Sequence, residues 1–433
     1  MGIVLEEDLK RKVIDLAVQA ARKRQSLQTG FVHLWHEAPH NVRQDTIPVL
    51  ENLFFALALF RIRLSDSVLE AKGLLEKILS FEVEGNFPHY LHQYPKCYDK
   101  HLSIKCLPAF FYLLRDFSPV LGEQLLSSLK SLEGRILAHG KQLKEKGELF
   151  GSHGAKWASY QGLFDPKSWF PDRSSHFADY LLALQMQHRH TPSLDVFYEE
   201  VTSRWNPKIS CFTGKCRQRQ QYGYEPASTL FDLFMGEYGK KFSTRALCDS
   251  LSHLHASLVH PLPILAKEEV AFPAWERIVE EGNARSFTLL WKGSSLTHSL
   301  AVESKGTCSF YEMQEGVWEL SFLLDQPFVS GEDDNEISLY LSDSPEHRIT
   351  ICGAKATTFS LEEEVVIDAE GLSMQMHASL AEGKGTFLGH VSKGNRSGQL
   401  HKDNPYEAFD RKISIRTIRR DFPCKLVLQI ALR

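Results

Sequence analysis

Cysteine is sparse in this chain: eight in 433 residues, at positions 97, 106, 211, 216, 248, 308, 352 and 424. So thin a distribution excludes a small disulfide-built domain and reads as free thiols in a reducing compartment. Cys211 and Cys216, in CFTGKC, are the close pair, and their spacing suits half a zinc site, but no matching Cys/His pair accompanies them. An excess of charge of one sign is missing too, since 50 basic residues face 54 acidic ones for a net charge of -4. That balance gives no reason to expect nucleic acid or an anionic membrane as partner. Long apolar runs are absent: the best candidate, Ile47 to Leu59, is too short and contains Glu51. At the amino terminus Glu6, Glu7 and Asp8 stand where a secretory signal needs positive charge, so a cytoplasmic location is expected. No phosphate loop, dinucleotide-binding glycine fingerprint or serine-nucleophile elbow occurs, and no cofactor is expected.

What is present is an ordinary globular composition, 43% hydrophobic and 24% charged, over a length that asks for two cores. Two kinds of local pattern divide it. From residue 1 to about 270 apolar residues recur every three or four positions, as in Val13 to Ala20, Val68 to Leu79 and Leu125 to Leu137, which predicts helices. LENLFFALALF and DYLLAL are apolar nearly all round and are expected to be buried, whereas LKSLEGRILAHGKQLKEKGE is one-sided. From 282 to 433 the chain turns to short β-branched and aromatic segments, about eleven of them, punctuated by Gly, Asp, Asn and Ser. They predict an antiparallel β-sandwich. FPAWERIVEEGN, at the boundary, reads as a last helix.

The chain is organised around EGNFPHYLHQYPKCYDKHLSIKCLPAFFYLLR, residues 84 to 115, where His89, Tyr90, His92, Tyr94 and Tyr98 follow Asn86 in quick succession. Such a cluster is either a wet, ligand-facing loop or an aromatic plug. GSHGAKWASYQG supplies His153, Trp157 and Tyr160, and WFPDRSSHFADY supplies Trp169, Arg173, His176 and Tyr180. The aromatics could stack on sugar rings or wedge helices together. His33, His36 and His40 would approach one face of a helix, but Pro39 interrupts it, and His253, His255 and His260 alternate faces, so no metal is expected. Glu51, in its apolar surroundings, is the carboxylate whose acidity burial would shift most, unless it is simply a partnered helix residue. The arginines around 411 to 420 read as a solvent-facing stripe.

In domain order, domain size and helix texture the chain resembles the polysaccharide lyases of the heparinase and alginate lyase type, an incomplete (α/α) toroid followed by an antiparallel β-sandwich. The resemblance implies β-elimination on an acidic oligosaccharide held in a cleft of the helical domain. It assigns acid–base roles to His89, His92, His153, His176, Tyr90, Tyr160, Tyr180 and Tyr224, and substrate contacts to Asn86, Tyr94, Trp157, Trp169 and Arg173. The paired Asn and His that mark the alginate lyase type are missing. A glycoside hydrolase, or a non-catalytic protein that keeps the architecture to bind a glycan or a protein partner, therefore stands as an alternative.

Overall fold

A computed structural model describes residues 2–38, 42–166, 177–188, 195–214, 216, 219, 222–224, 229–235, 251–262, 265, 274–278, 285–293, 297–327, 335–344, 347–394 and 409–433. These fall into two compact units, one of residues up to 203 with 229–265, the other of residues 204–224 with 274–433. The segment 204–224, read from the sequence as part of the helical region, packs with the second unit.

The first unit is helical: α1 (Gly2–Arg22), α2 (Val49–Ile62), α3 (Ser65–Leu79), α4 (Leu102–Asp116), α5 (Ser118–Leu121), α6 (Glu123–Glu145), α7 (Gly151–Tyr160), α8 (Phe177–Gln187), α9 (Asp195–Thr202) and α10 (Thr229–Phe234). A 3-10 helix, Leu251–Leu258, follows. α2 lies innermost, packed on α1, α3, α4 and that 3-10 helix, and its residues are buried from Asn52 to Phe60 without a break. This is the fate expected of a helix with no polar stripe. α6 buries only Leu125, Leu129, Leu132, Ile136, Gly140 and Leu143, the single face its pattern announced. Where α3 hands the chain to the aromatic loop, Gly85 has φ +81° and sits so close to α6 that an added Cβ would lie 2.4 Å from the Arg135 carbonyl oxygen. Glycine is the residue that fits there.

Among the described residues of this unit, the helical reading fails at the stretch that follows α1. β1 (Leu34–Ala38) and β2 (Val42–Thr46) form an antiparallel hairpin, so His36 stands on a strand rather than a helix. The backbone ladder between the two strands outweighs the helical spacing of the histidines.

In the second unit β3 (Trp205–Asn206), β4 (Cys211–Thr213) and β5 (Gly223–Tyr224) make a small antiparallel sheet. The remaining strands are β6 (Trp275–Ile278), β7 (Arg285–Lys292), β8 (Thr297–Ser304), β9 (Thr307–Gln314), β10 (Val317–Leu324), β11 (Asn335–Leu341), β12 (Arg348–Ile351), β13 (Thr358–Phe359), β14 (Val365–Ala369), β15 (Leu372–Glu382), β16 (Gly385–Lys393), β17 (Arg411–Arg420) and β18 (Cys424–Leu432). They build two antiparallel sheets, ordered β12-β14-β15-β18-β10-β9 and β13-β16-β17-β11-β8-β7-β6. Alternate residues of both sheets, among them Trp318, Leu320, Met376 and Leu428 from one and Phe287, Leu289, Val302 and Ile413 from the other, share one apolar core. In β10, β12, β14 and β15 the period-two pattern of the sequence is thus the inward face of the strand. WERI, expected to be helical, is strand β6, paired with β7, because a neighbouring strand edge offers its backbone ladder partners. The arginine stripe is not wholly solvent-facing either. Arg420 and Glu336 are 4% and 5% exposed and joined at 3.0 Å, with Thr417 donating to the same carboxylate.

A buried imidazole and ammonium cluster in the helical unit

The expected site residues separate into groups. His89, Tyr90, His92 and Tyr94 stay together on the loop around the 3-10 turn Leu91–Gln93. Tyr90 stacks on His92 at 5.6 Å and meets His89 edge-on at 4.4 Å, while Tyr94 packs edge-on against Phe81. His92 and Tyr94 are exposed. Burial, then the charge of Glu51, push the Tyr90 phenol above its ordinary range, so it stays protonated. Glu51 itself stands in the first turn of α2.

Asn86 is buried with both ends of its amide engaged. Its Nδ2 donates to the Asp99 carbonyl and its Oδ1 accepts from the Ser103 N–H, each at 2.9 Å. This amide clamps the turn that starts α4 and thereby fixes His101, the N-cap residue. His101 Nε2 lies 2.9 Å from the Glu148 carbonyl. A carbonyl only accepts, so this nitrogen carries the proton.

On its other side His101 stacks on His153, centroids 4.8 Å apart and planes within 17°. His153 sits in the first turn of α7, and its Nδ1 is buried without a hydrogen-bond partner. Burial, then the Lys156, His101 and Lys105 charges, push this imidazole down to about 4 against the opposing pull of Asp179. The positive end of α7 acts in the same direction. One turn further on, the nearly fully buried Lys156 places Nζ 2.6 Å from Asp179 of α8. The same pair acts on His255 of the 3-10 helix Leu251–Leu258, whose Nδ1 is likewise buried and unpartnered. Burial and Lys156 lower His255 to about 4 while Asp179 opposes them. Phe54 of α2 closes one side of that ring, edge-on at 5.4 Å. Asp99 completes the charge pattern, paired with Lys105 at 2.7 Å and accepting the His101 N–H. Burial raises its carboxyl, but those hydrogen bonds and charges outweigh it and hold the group below its usual range.

α7, α8 and the 3-10 helix therefore supply two half-buried imidazoles with buried open Nδ1 atoms around a buried ammonium paired to a partly exposed carboxylate, and His101 at the start of α4 stacks on one of them. Chemically this gives neutral imidazoles, able both to accept and to donate a proton, beside a cation that can face a carboxylate.

The other expected residues have different surroundings. Tyr160 is buried and donates to Glu133 at 2.7 Å, and Tyr180 is buried beside Phe177 with Glu200 at 3.4 Å. Trp157 lies flat between α6 and α7, under Lys144, and lines an outer groove of about 630 Å³ with Leu137 and Lys141. Tyr224 is on β5, in the second unit. Trp169, Arg173 and His176 lie outside the described residues. Of the residues weighed as metal ligands, His33 pairs with Asp45 at 2.8 Å, Cys211 and Cys216 are buried, and His40 is outside the described residues. Among the described residues no three His, Cys, Asp or Glu side chains gather as a metal site.

Sequence reasoning passed over His101 and Lys156 entirely and weighed His255 only as a metal ligand. One signal was available: a lysine and an aspartate, each alone among the apolar residues of α7 and α8, must find one another if both helices are buried.

No family model and no curated protein matches the chain. Among solved structures it is similar to a heparinase III, over 98% of this chain and 84% of that one, at 10% identity and a TM-score of 0.26. This is a weak likeness of architecture. Among the described residues no helix is long and apolar enough to cross a membrane.

Proposed function

We propose that the helical unit is an (α/α) toroid-like domain, that the two large sheets form a β-sandwich, and that the protein is carbohydrate-active, eliminating across a glycosidic bond of an acidic oligosaccharide. The observation that carries this reading is the pair of buried, unpartnered imidazole nitrogens of His153 and His255 around the Lys156–Asp179 pair. Native interiors rarely leave such atoms without a partner, and a bound ligand supplies one.

Elimination needs a base for the proton next to the uronate carboxylate and positive charge for the enolate that develops. His153 is the base. It is neutral at physiological pH, and an arriving carboxylate offsets the lysine charges that depress it, raising its basicity when substrate is present. Lys156 faces the carboxylate. The imidazolium so formed on His153 returns its proton to the leaving oxygen as the carbon–oxygen bond breaks and the new double bond forms, while the open Nδ1 of His255 holds the substrate beside it. His89, Tyr90, His92 and Tyr94 provide a polar, aromatic approach on which sugar rings stack, and Asn86 positions His101 behind His153.

The test is the ultraviolet band of the unsaturated uronate product, followed over a panel of acidic oligosaccharides. Product should form, and His153→Gln should slow it by about a hundred- to ten-thousand-fold, the usual cost of losing an acid–base group. Unchanged turnover in His153→Gln would remove the base from its role. If panel members bind without yielding product, and binding is lost in His153→Gln, the site is a non-catalytic glycan receptor.

A further inference from the structure

A second polar site occupies the opposite end of the inner helices. Along α4, His101 and Asp116 are separated by fifteen residues, about 22 Å of helix. At the far end α1, the C-terminus of α2 and His260 enclose a pocket of about 370 Å³, lined by Lys10, Arg11, Asp15, Arg61, Arg63 and His260 among others. Among the described lining residues, four permanent cations face one carboxylate, with Asp116 paired to Arg61.

Helix dipoles account for part of this, since Arg61 and Arg63 stand where α2 ends and cations are favoured there. They do not account for Lys10 and Arg11, brought in by a different helix. Nor do they account for the donors left over. Arg61 is only 11% exposed and gives Nη1 to Asp116 at 2.7 Å and Nε to the Ser257 carbonyl at 3.3 Å, while its plane rests on Tyr112. Its Nη2 is buried without a partner. His260 Nδ1 lies 3.3 Å from the Lys10 ammonium, and an ammonium only donates, so Nδ1 accepts and Nε2 carries the proton. An oxyanion with several acceptor oxygens answers both the charge and the donors.

Asp15 selects among oxyanions. A carboxylate amid cations repels a fully deprotonated anion but accepts a hydrogen bond from one that keeps a proton. We propose that this pocket binds inorganic phosphate in its hydrogen-phosphate form, through Arg61, Arg63, Lys10 and His260, with Asp15 accepting a hydrogen bond from the phosphate hydroxyl and so discriminating against sulfate. The site is independent of the elimination chemistry proposed above and stands or falls separately from it.

Isothermal titration of the full chain with sodium phosphate and with sodium sulfate, at fixed ionic strength near neutral pH, tests this. Phosphate should bind at one site, at least about tenfold more tightly than sulfate, the ratio that one charge-assisted hydrogen bond supports. Arg63→Gln, at an exposed position, should weaken phosphate by about tenfold. Asp15→Asn, also exposed, should bring sulfate to within about threefold of phosphate, because an amide can donate to sulfate where the carboxylate could only repel it. Circular dichroism establishes that both variants are folded. Absence of phosphate binding, equal affinity for the two anions in the parent protein, or affinity unchanged in Arg63→Gln each overturns the proposal.

Discussion

Asn52 is the polar residue on which the innermost helix depends, and its removal has a calculable cost. Its side chain is fully buried in α2, where Oδ1 accepts the Val32 N–H at 2.7 Å and Nδ2 donates to the carbonyls of Val32 at 2.9 Å and Pro48 at 2.7 Å. Pro48 keeps a second bond from the Asn52 N–H, but both backbone groups of the fully buried Val32 lose their partner in Asn52→Ala. At roughly 1 kcal/mol net for each bond, and more for the two groups left unpaired, the expected loss is about 3–5 kcal/mol. Asn52→Asp gives a sharper signature. The carboxylate still accepts from Val32 but faces two carbonyl oxygens, so its folded pKa rises above the unfolded value. The stability of that variant is then greatest below the unfolded pKa and is lost as pH rises through the folded one. Urea unfolding followed by the helical dichroism, with amide exchange read at Val32, makes the measurement. An Asn52→Ala loss below about 1 kcal/mol, or a Val32 amide exchanging as slowly as in the parent protein, would refute this account of α2.

The buried pair Glu336–Arg420 predicts an asymmetry: Arg420→Met alone should cost about 3–5 kcal/mol, and adding Glu336→Leu should recover much of it, as a double-mutant cycle will reveal. Gly140→Ala would drive a Cβ to 2.2 Å from Trp157 Nε1, so a loss of about 1–3 kcal/mol with altered tryptophan emission is expected. His153, His253 and His255 are lowered to about 4 and His260 to about 3, each first by burial. Their folded values lie below the ordinary 6.5, so the unfolded chain takes up these protons first. Stability should therefore fall as pH drops below about 6.5 and level off beneath the folded values, which unfolding midpoints across that range will test.

Much of the helical and strand layout was legible because burial imposes a period, and α3, α6 and β15 carry it plainly. WERI and the hairpin β1–β2 were not, since four or five residues cannot distinguish a short strand from a helical turn without knowing which backbone lies alongside. Of the site, His153 was legible from its glycine-flanked turn. The others depend on partners remote in sequence: Lys156 with Asp179 on the next helix, and His255 a hundred residues beyond His153. Asn86 was noticed for its company, but its work is done on the backbone of Asp99 and Ser103, which composition cannot reveal.

The contact of α1 with the 3-10 helix Leu251–Leu258, sealed by Lys10 and His260 across 250 positions, carries a consequence for how the protein is made. A ribosome adding about 5–20 residues each second needs roughly 12–50 s to deliver the second partner after the first. Throughout that interval Val13, Ile14, Ala17 and Ala20 have only part of their eventual covering. The nascent chain thus offers a greasy helix to any holding factor within reach, and the helical unit is completed late in synthesis.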